Sequence, residues 1–402
     1  MGTAIKPSLT TAILSDASAF NALGEEWDSL LDRGRPYTYF LRPDWNRLWW
    51  KYCAPDGAHL YLITCRDPHG ALVGLAPLYW RQFQFLGIPL RELQFLGMGI
   101  QLKSSEYMDL IARPGQEQAV AAAIADRLHR SDDWDRICLW QMLRDSVMFP
   151  HTASSLSTKS ELHACDRAPY IDTSTSWQPY KASLGRSMRR NIEYYPRRLF
   201  KRYACEFGCV RDSSELDDAL DALIHLHQAR WQGQGEPGTF SDPAVAELLR
   251  EAARHSLPRD RLRLWTLKIN GTTEAALIGF LDNGALHYFQ KGFNPAYTQE
   301  DIGTAMLALC IRDCFEDPAI RAFDFMGGGA AYKDRWAHTS REIISYQATR
   351  LNARTVTHSL QKASLSIAAD AYHALVPHKL QVARANWLRQ RRSVIARGLD
   401  DQ

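Results

Sequence analysis

Between residues 284 and 336 the sequence changes period twice, and this stretch restricts the fold more than any other. Residues 285–291 (ALHYFQK) read as a strand. A loop over 292–302 leads to a helix that opens at Gly303, and residues 322–326 (AFDFM) read as a second strand. Gly327, Gly328 and Gly329 follow, then Tyr332, Lys333, Asp334, Arg335 and Trp336. A strand that feeds a helix N-terminus, with a second strand returning beside it, makes a site for an anionic group. Unpaired N–H groups and the helix dipole both favour phosphate there. The pattern points to a group-transfer enzyme that uses a phosphate-bearing donor.

Residues 186–203 predict an amphipathic helix. At about 100° per residue, Arg186, Arg189, Arg190, Arg197 and Lys201 fall on one face and Met188, Ile192, Tyr195, Leu199 and Tyr203 on the other. Glu193 sits inside the basic face, and Pro196 should kink the helix because it removes an N–H. Such a face is either simply solvated or holds phosphates of a nucleotide, a lipid-linked intermediate or a tRNA. The net charge of the whole chain is only +3, so any such partner must be read from local clustering, and no DNA partner is expected.

At 402 residues the chain is too long for one core, and two domains are expected. The first half shows a helical region over 18–54, a strand-turn-strand over 60–80, strand candidates at 91–98, 107–111 and 134–142, and a helix over 116–129. The second shows a helix over 216–230 with Ser214 as N-cap, then a hairpin over 261–281. Residues 345–351 are read as closing the sheet. The halves echo each other, with boundaries at 1–165 and 166–355 and a basic helical tail over 356–402. In that tail Arg384, Arg389, Arg391, Arg392 and Arg397 suit solvent, anionic lipid or a protein contact, although the apolar positions around Trp387 form no clean stripe.

The eight cysteines show no CxxC pair and are expected as free thiols in a reducing compartment, Cys310 and Cys314 as core. No signal peptide and no run of about 18 apolar residues is present, so a cytoplasmic protein is expected. P-loop, zinc-ligand, GxSxG and complete dinucleotide signatures are absent, and no metal is expected.

An ordered series of short motifs runs through both halves. The first half contributes Pro43-x-Trp45, Trp49-Trp50, Gly74-x-Ala76-Pro77-Leu78, Phe95-Leu96-Gly97 and Tyr107-x-Asp109. The second contributes Arg189-Arg190-Asn191, His227-x-x-Arg230-Trp231, Gly238-x-Phe240, Gly292-Phe293-Asn294-Pro295-Ala296, Gly303, Asp324-Phe325 and Tyr332-Lys333-x-Arg335-Trp336. Over roughly residues 20–350 the chain resembles the CelD/BcsL-type family of GNAT-like acyltransferases, which is named for an association with cellulose biosynthesis and is related to the FemAB-type aminoacyltransferases.

The resemblance implies an α/β fold of tandem GNAT-like (acyl-CoA N-acyltransferase) domains, with mixed, mostly antiparallel sheets flanked by helices. It also implies roles. Strands near Tyr288 and near Asp324 and Phe325 would splay to admit the pantetheine arm of acyl-CoA, with acetyl-CoA the expected co-substrate. Gln299, Gly303, Thr304 and Ala305 would form the pyrophosphate loop. Glu300 and Asp301 stand in that loop, and their carboxylates must turn away from a pyrophosphate. Lys333 would stabilise charge, Tyr332 would serve as acid or hydrogen-bond donor, and Asp324 would serve as base or, equally, stand as an inward-facing structural residue. Arg186, Arg189, Arg190, His227, Arg230, Trp231 and Trp336 would bind substrate; His227 reads equally as a core histidine. The implied activity is acyl transfer to an amine or hydroxyl of a sugar or envelope-polysaccharide precursor, carried free, phosphorylated or lipid-linked. Aminoacyl transfer from aminoacyl-tRNA and a non-catalytic accessory role in exopolysaccharide synthesis are the alternatives.

Overall fold

The computed structural model describes residues 9–33, 38–98, 105–146, 159–328 and 331–375. Gly329 and the tail arginines from Arg384 onward lie outside these residues.

The first half gives β1 (Thr10–Leu14), α1 (Ala17–Ala22), α2 (Gly24–Asp32), α3 (Pro43–Cys53), β2 (Ala58–Arg66), β3 (Leu72–Phe85) and β4 (Ile88–Phe95). β5 (Ile111–Ala112), α4 (Glu117–Arg130), β6 (Arg136–Leu143) and β7 (Lys159–Asp172) follow. The second half gives α5 (Trp177–Ser183), α6 (Arg186–Arg202), β8 (Cys205–Cys209), α7 (Ser213–Gln232), α8 (Pro243–Ser256), β9 (Leu262–Ile269), β10 (Thr272–Asp282) and β11 (Ala285–Phe293). It ends with α9 (Ile302–Glu316), β12 (Ala322–Asp324), β13 (Thr339–Thr349) and α10 (Ala353–Leu375). Among the described residues no helix is long and apolar enough to cross a membrane.

The strands form one mixed sheet in the order β1-β2-β3-β4-β6-β13-β7-β12-β11-β10-β9-β8, with β5 paired to β3. Each half of that order repeats one plan: an antiparallel run, then a parallel pair (β4 with β6, β11 with β12) joined through a helix (α4 or α9). The sixth strand of the first set comes from the second half's sequence, and the sixth strand of the second set runs across the 165/166 boundary. β13 completes the set that begins with β1, and β7 completes the set that begins with β8. The two exchanged strands pair with each other along their length at the sheet centre.

Side-chain alternation explains the layers. On the β9–β11 ladder, Leu264, Ile278 and Phe280 face α7 and α8, while Trp265, Leu277 and Leu286 face α9 and α6. The first of these layers is continuous with the core of the first half, where Trp27, Trp45, Trp49 and Trp134 are buried. Aromatic stacking joins the halves, with Tyr39 lying flat on Phe280 at 4.2 Å between centroids and its hydroxyl 2.7 Å from Ser256 Oγ. Arg42 adds a buried ion pair, its Nη2 donating to Asp282 Oδ1 at 2.8 Å.

Several local expectations are corrected. Residues 107–111 are not a strand: Tyr107 takes φ 59° and carries its ring inward, and only Ile111–Ala112 pair. The helix expected over 216–230 begins at Ser213, because Asp212 rather than Ser214 accepts the open N–H of the first turn at 2.8 Å. The last strand does not close an edge; it enters the middle of the sheet. The basic helix runs through Pro196 to Arg202.

Candidate active site

The parallel ladder between β11 and β12 stops at the pair His287–Asp324. β11 runs on to Phe293, while the chain after β12 turns away at Met326, whose φ is 56°. A gap therefore opens beyond Tyr288 and Phe325, whose rings stand edge to face with centroids 6.1 Å apart. Tyr332 donates a long hydrogen bond, 3.5 Å, to the Tyr288 oxygen. Burial pushes both phenols above their ordinary pKa, so both keep their protons at neutral pH.

A cavity of about 300 Å³ lies at the N-terminus of α9. Its walls include Asp301, Ile302, Gly303 and Thr304 from the helix start, Asn191 and Tyr195 from α6, and Tyr332 and Trp336. Arg230, Lys291 and Arg335 bring three cations. The first amides of a helix have no intrahelical acceptor, and here the Asp301 carbonyl already serves Thr304 and Ala305, leaving Ile302 and Gly303 at the open end. Lys291 Nζ donates to the Gly303 carbonyl at 3.2 Å, and burial, with Arg230 beside it, lowers its pKa to about 8. Arg230 lies over the rings of Trp231 and Phe293. Glu300 turns away into a pair with Arg202 at 2.8 Å, whereas Asp301 stays on the wall, hydrogen-bonded to Tyr195. Three cations and open amides against one carboxylate suit a phosphate.

The remaining expected residues divide. Gln299 is exposed and Ala305 is buried behind the first turn, so neither lines this cavity. Arg186, Arg189 and Arg190 are exposed on α6, outside it. His227 sits in the core: its Nε2 accepts from Trp231 Nε1 at 3.0 Å, Nδ1 donates to Gln228 at 3.2 Å, and burial lowers its pKa to about 4. It is a neutral, fully partnered imidazole.

Lys333 and Asp324 are also fully engaged. Lys333 Nζ donates to the carbonyls of Phe325 at 2.8 Å, Met326 at 3.2 Å and Gly327. An ammonium has three hydrogens, so none remains for an oxyanion. Asp324 Oδ1 accepts from Tyr107 at 2.7 Å and from the Met326 amide at 2.8 Å, and Oδ2 pairs with Arg341. These two residues hold the glycine turn in shape rather than reaching into the gap.

Around that turn stand residues that no motif marked. Glu106 Oε2 accepts from the Gly327 amide at 2.5 Å, and Asp166 Oδ2 from the Gly328 amide at 2.6 Å. Burial raises the Glu106 pKa to about 7, with Asp324 and Asp166 adding repulsion against the opposing pull of the Gly327 amide and Lys333. Glu106 is therefore poised to accept a proton near neutral pH. A Cβ on Gly327 would lie 2.8 Å from Ile343, 3.0 Å from Asp166 and 3.1 Å from Glu106, which is why the turn needs glycine there. Glu106, Asp166 and Arg341 carried no local signal, because each comes from a distant segment. Lys291 was visible at the end of the first strand, beside the motif residues Arg230 and Arg335, and spacing could have flagged it.

The fold has counterparts among known proteins. Residues 186–334, from the start of α6 to the turn after Lys333, match the family described as an acetyltransferase (GNAT) domain. The enzyme class is acyltransferase. Among solved structures, FemX covers 87% of this chain and 99% of its own at 9% identity, with a TM-score of 0.59. A conserved protein of unknown function from Bacteroides thetaiotaomicron covers 85% and 100% at 10% identity, TM-score 0.53. The C-terminal domain of a putative lysylphosphatidylglycerol synthetase from Agrobacterium fabrum covers 86% and 96% at 10% identity, TM-score 0.51. No curated protein matches the sequence. At such identities the likeness is one of fold, and the α/β, GNAT-like architecture expected from the sequence is borne out.

Proposed function

We propose that this enzyme transfers an acyl group, acetyl in the simplest case, from acyl-CoA to an amine or hydroxyl of a sugar or envelope-polysaccharide precursor in the cytoplasm. In this reading it belongs with the CelD/BcsL-type acyltransferases and is built from two GNAT-like units, 1–165 and 166–355, with residues 356–402 as a basic tail. The observation that carries it is the gap beyond the His287–Asp324 pair leading to a cavity with Arg230, Lys291 and Arg335 at the start of α9.

The donor supplies an activated thioester. Open amides of α9 and the three cations bind its phosphates, and the gap beside Tyr288 and Phe325 holds its arm. The acceptor nitrogen or oxygen bonds to the acyl carbon while the carbon–sulfur bond breaks. The acceptor's proton passes to Glu106, and Tyr332, turning its hydroxyl from Tyr288, gives a proton to the leaving sulfur. Solvent then restores both groups. Lys333 and Asp324 are positioning residues for the turn in this scheme.

Calorimetric titration with acetyl-CoA and free CoA tests the donor. Arg230→Ala and Lys291→Met should each weaken binding by roughly tenfold or more, the loss of one charge-assisted hydrogen bond. A second reading, aminoacyl-tRNA as donor, draws on the exposed Arg186, Arg189, Arg190, Arg197 and Lys201 on the helix that borders the cavity. Absence of CoA binding by the wild type, with salt-sensitive tRNA binding that Arg189→Ala/Arg190→Ala removes, would replace the first reading with the second.

A further inference from the structure

A second cavity, of about 390 Å³, opens over β4, β6 and β7. It lies on the same face of the sheet as Asp324. Asp324 pairs with Tyr170, which shares a face with Asp166; Asp166 pairs with Ile343, which shares a face with Gln347; and Gln347 pairs with Cys138 on the cavity wall.

Two bulges shape it. Against β13, the register of β6 slips between Ile344 and Tyr346, which puts Trp140 and Gln141 out of alternation, and Gln141 takes φ 58°. On the other side of β13, β7 slips at Cys165. Bulges re-aim side chains, and here they turn both strands' residues toward one space.

The lining has a definite chemistry. Trp140 is 39% exposed, although Trp27, Trp45, Trp49, Trp134 and Trp265 are at most 1% exposed. Arg81 and Arg136 flank Glu92 at 3.7 and 3.6 Å, so their charge is largely offset and a phosphate is not favoured. Gln94 accepts from Tyr79 at 2.7 Å and donates to Glu92 at 2.6 Å. Gln141 is 6% exposed, and its Oε1, like Arg81 Nε on the same wall, has no hydrogen-bond partner among the described residues. A buried acceptor without a donor is costly, and a ligand hydroxyl would relieve it. Asp166 ties the cavity to the chemistry through its hydrogen bond to Gly328, next to the Glu106–Gly327 bond.

We propose that this cavity is the acceptor site and that the acceptor is an amino sugar. Its ring stacks on Trp140, its hydroxyls meet Gln141 and the polar wall, and its amine points to Asp166 and Glu106. The inference rests on the acyltransferase reading above and adds the acceptor's class and location. Once the bound ammonium has lost its extra proton to solvent, the neutral amine nitrogen forms the amide bond as the carbon–sulfur bond breaks, its next proton going to Glu106 while Tyr332 gives a proton to the sulfur, which leaves as the thiol.

Equilibrium dialysis of the full chain with D-glucosamine and D-glucose, without donor, tests it. The expected result is saturable binding that favours D-glucosamine. Trp140→Ala and Gln141→Met should each weaken it by roughly tenfold, and Asp166→Asn should erase the preference for the amine. Gln141→Met removes an unpaired acceptor at similar volume, so its melting temperature should hold or rise, which separates lost binding from lost fold. No saturable D-glucosamine binding, or binding indifferent to Trp140→Ala and Gln141→Met, overturns the proposal. Acetyl-CoA titration of the same variants reads the donor site separately: if wild type fails there but binds D-glucosamine, the donor reading fails and the sugar site stands.

Discussion

Glu106 shows how one side chain can take a pKa near neutrality from neighbours supplied by distant parts of the chain. Its carboxyl titrates near 7 instead of its ordinary 4.5, because burial and two nearby carboxylates outweigh the Gly327 amide and Lys333. Two outcomes follow from the sign of that shift. As proposed base, Glu106 must be ionised, so the acyl-transfer rate should rise with pH through about 7, and Glu106→Gln should flatten the profile and lower the rate by roughly a hundredfold or more. For stability the direction is opposite. The folded protein holds this proton more tightly than the unfolded chain does, so the stabilisation is complete below about pH 4.5 and is lost as pH rises through 7. Thermal melts across that window should show the loss in the wild type and a smaller one in Glu106→Gln. A rate profile unchanged by the substitution would remove Glu106 from the mechanism.

At the scale of elements, the candidate donor site depends on how closely β11 packs under α7. Gly292 makes that contact possible: a Cβ there would lie 2.5 Å from the His227 amide nitrogen and 2.8 Å from the Leu223 carbonyl, both backbone atoms of α7. Neither can rotate away, so Gly292→Ala must move the helix. A loss of about 1–3 kcal/mol is expected, measured by denaturant unfolding, together with weaker acetyl-CoA binding because Arg230 rides on α7 and Lys291 on β11. A substitution that left both quantities unchanged would mean that the helix yields freely. Gly303 behaves differently, since its Cβ would meet only the Phe293 ring, at 2.9 Å.

For the whole molecule the decisive feature is the exchange of β7 and β13 between the two strand sets, which makes one sheet and ties each half's completion to the other. The Arg42–Asp282 pair also joins the halves, tying the start of α3 to the end of β10, with side-chain exposures of 4% and 3%. Removing one partner of a buried pair leaves an uncompensated charge, so Asp282→Ala should destabilise by about 3–5 kcal/mol. Arg42 also reaches Asp28 and Asp32, which places the effect toward the lower end. Because the halves share strands and a core, unfolding should stay a single transition in the variant, followed by circular dichroism and tryptophan fluorescence together. Separate transitions by the two probes would contradict the coupling.

The strand-loop-helix-strand unit over 284–336, the hairpins at 60–80 and 261–281 and the amphipathic helix from Arg186 were legible from sequence because each rests on local periodicity and turn chemistry, which act within a few residues. The glycine turn and Tyr332 were legible for the same reason. The hydrogen-bond partners of Lys333 and Asp324 were not legible, since a residue type shows that a charge exists and not which neighbours occupy it. Only the tertiary structure brought Glu106 and Asp166 to the amides of Gly327 and Gly328, filled the hydrogen bonds of Lys333, buried His227 between Trp231 and Gln228, and seated β13 in the sheet centre. Those contacts span up to more than two hundred residues of sequence, and no local pattern records a pairing that is decided by packing and by the closing of a shared sheet.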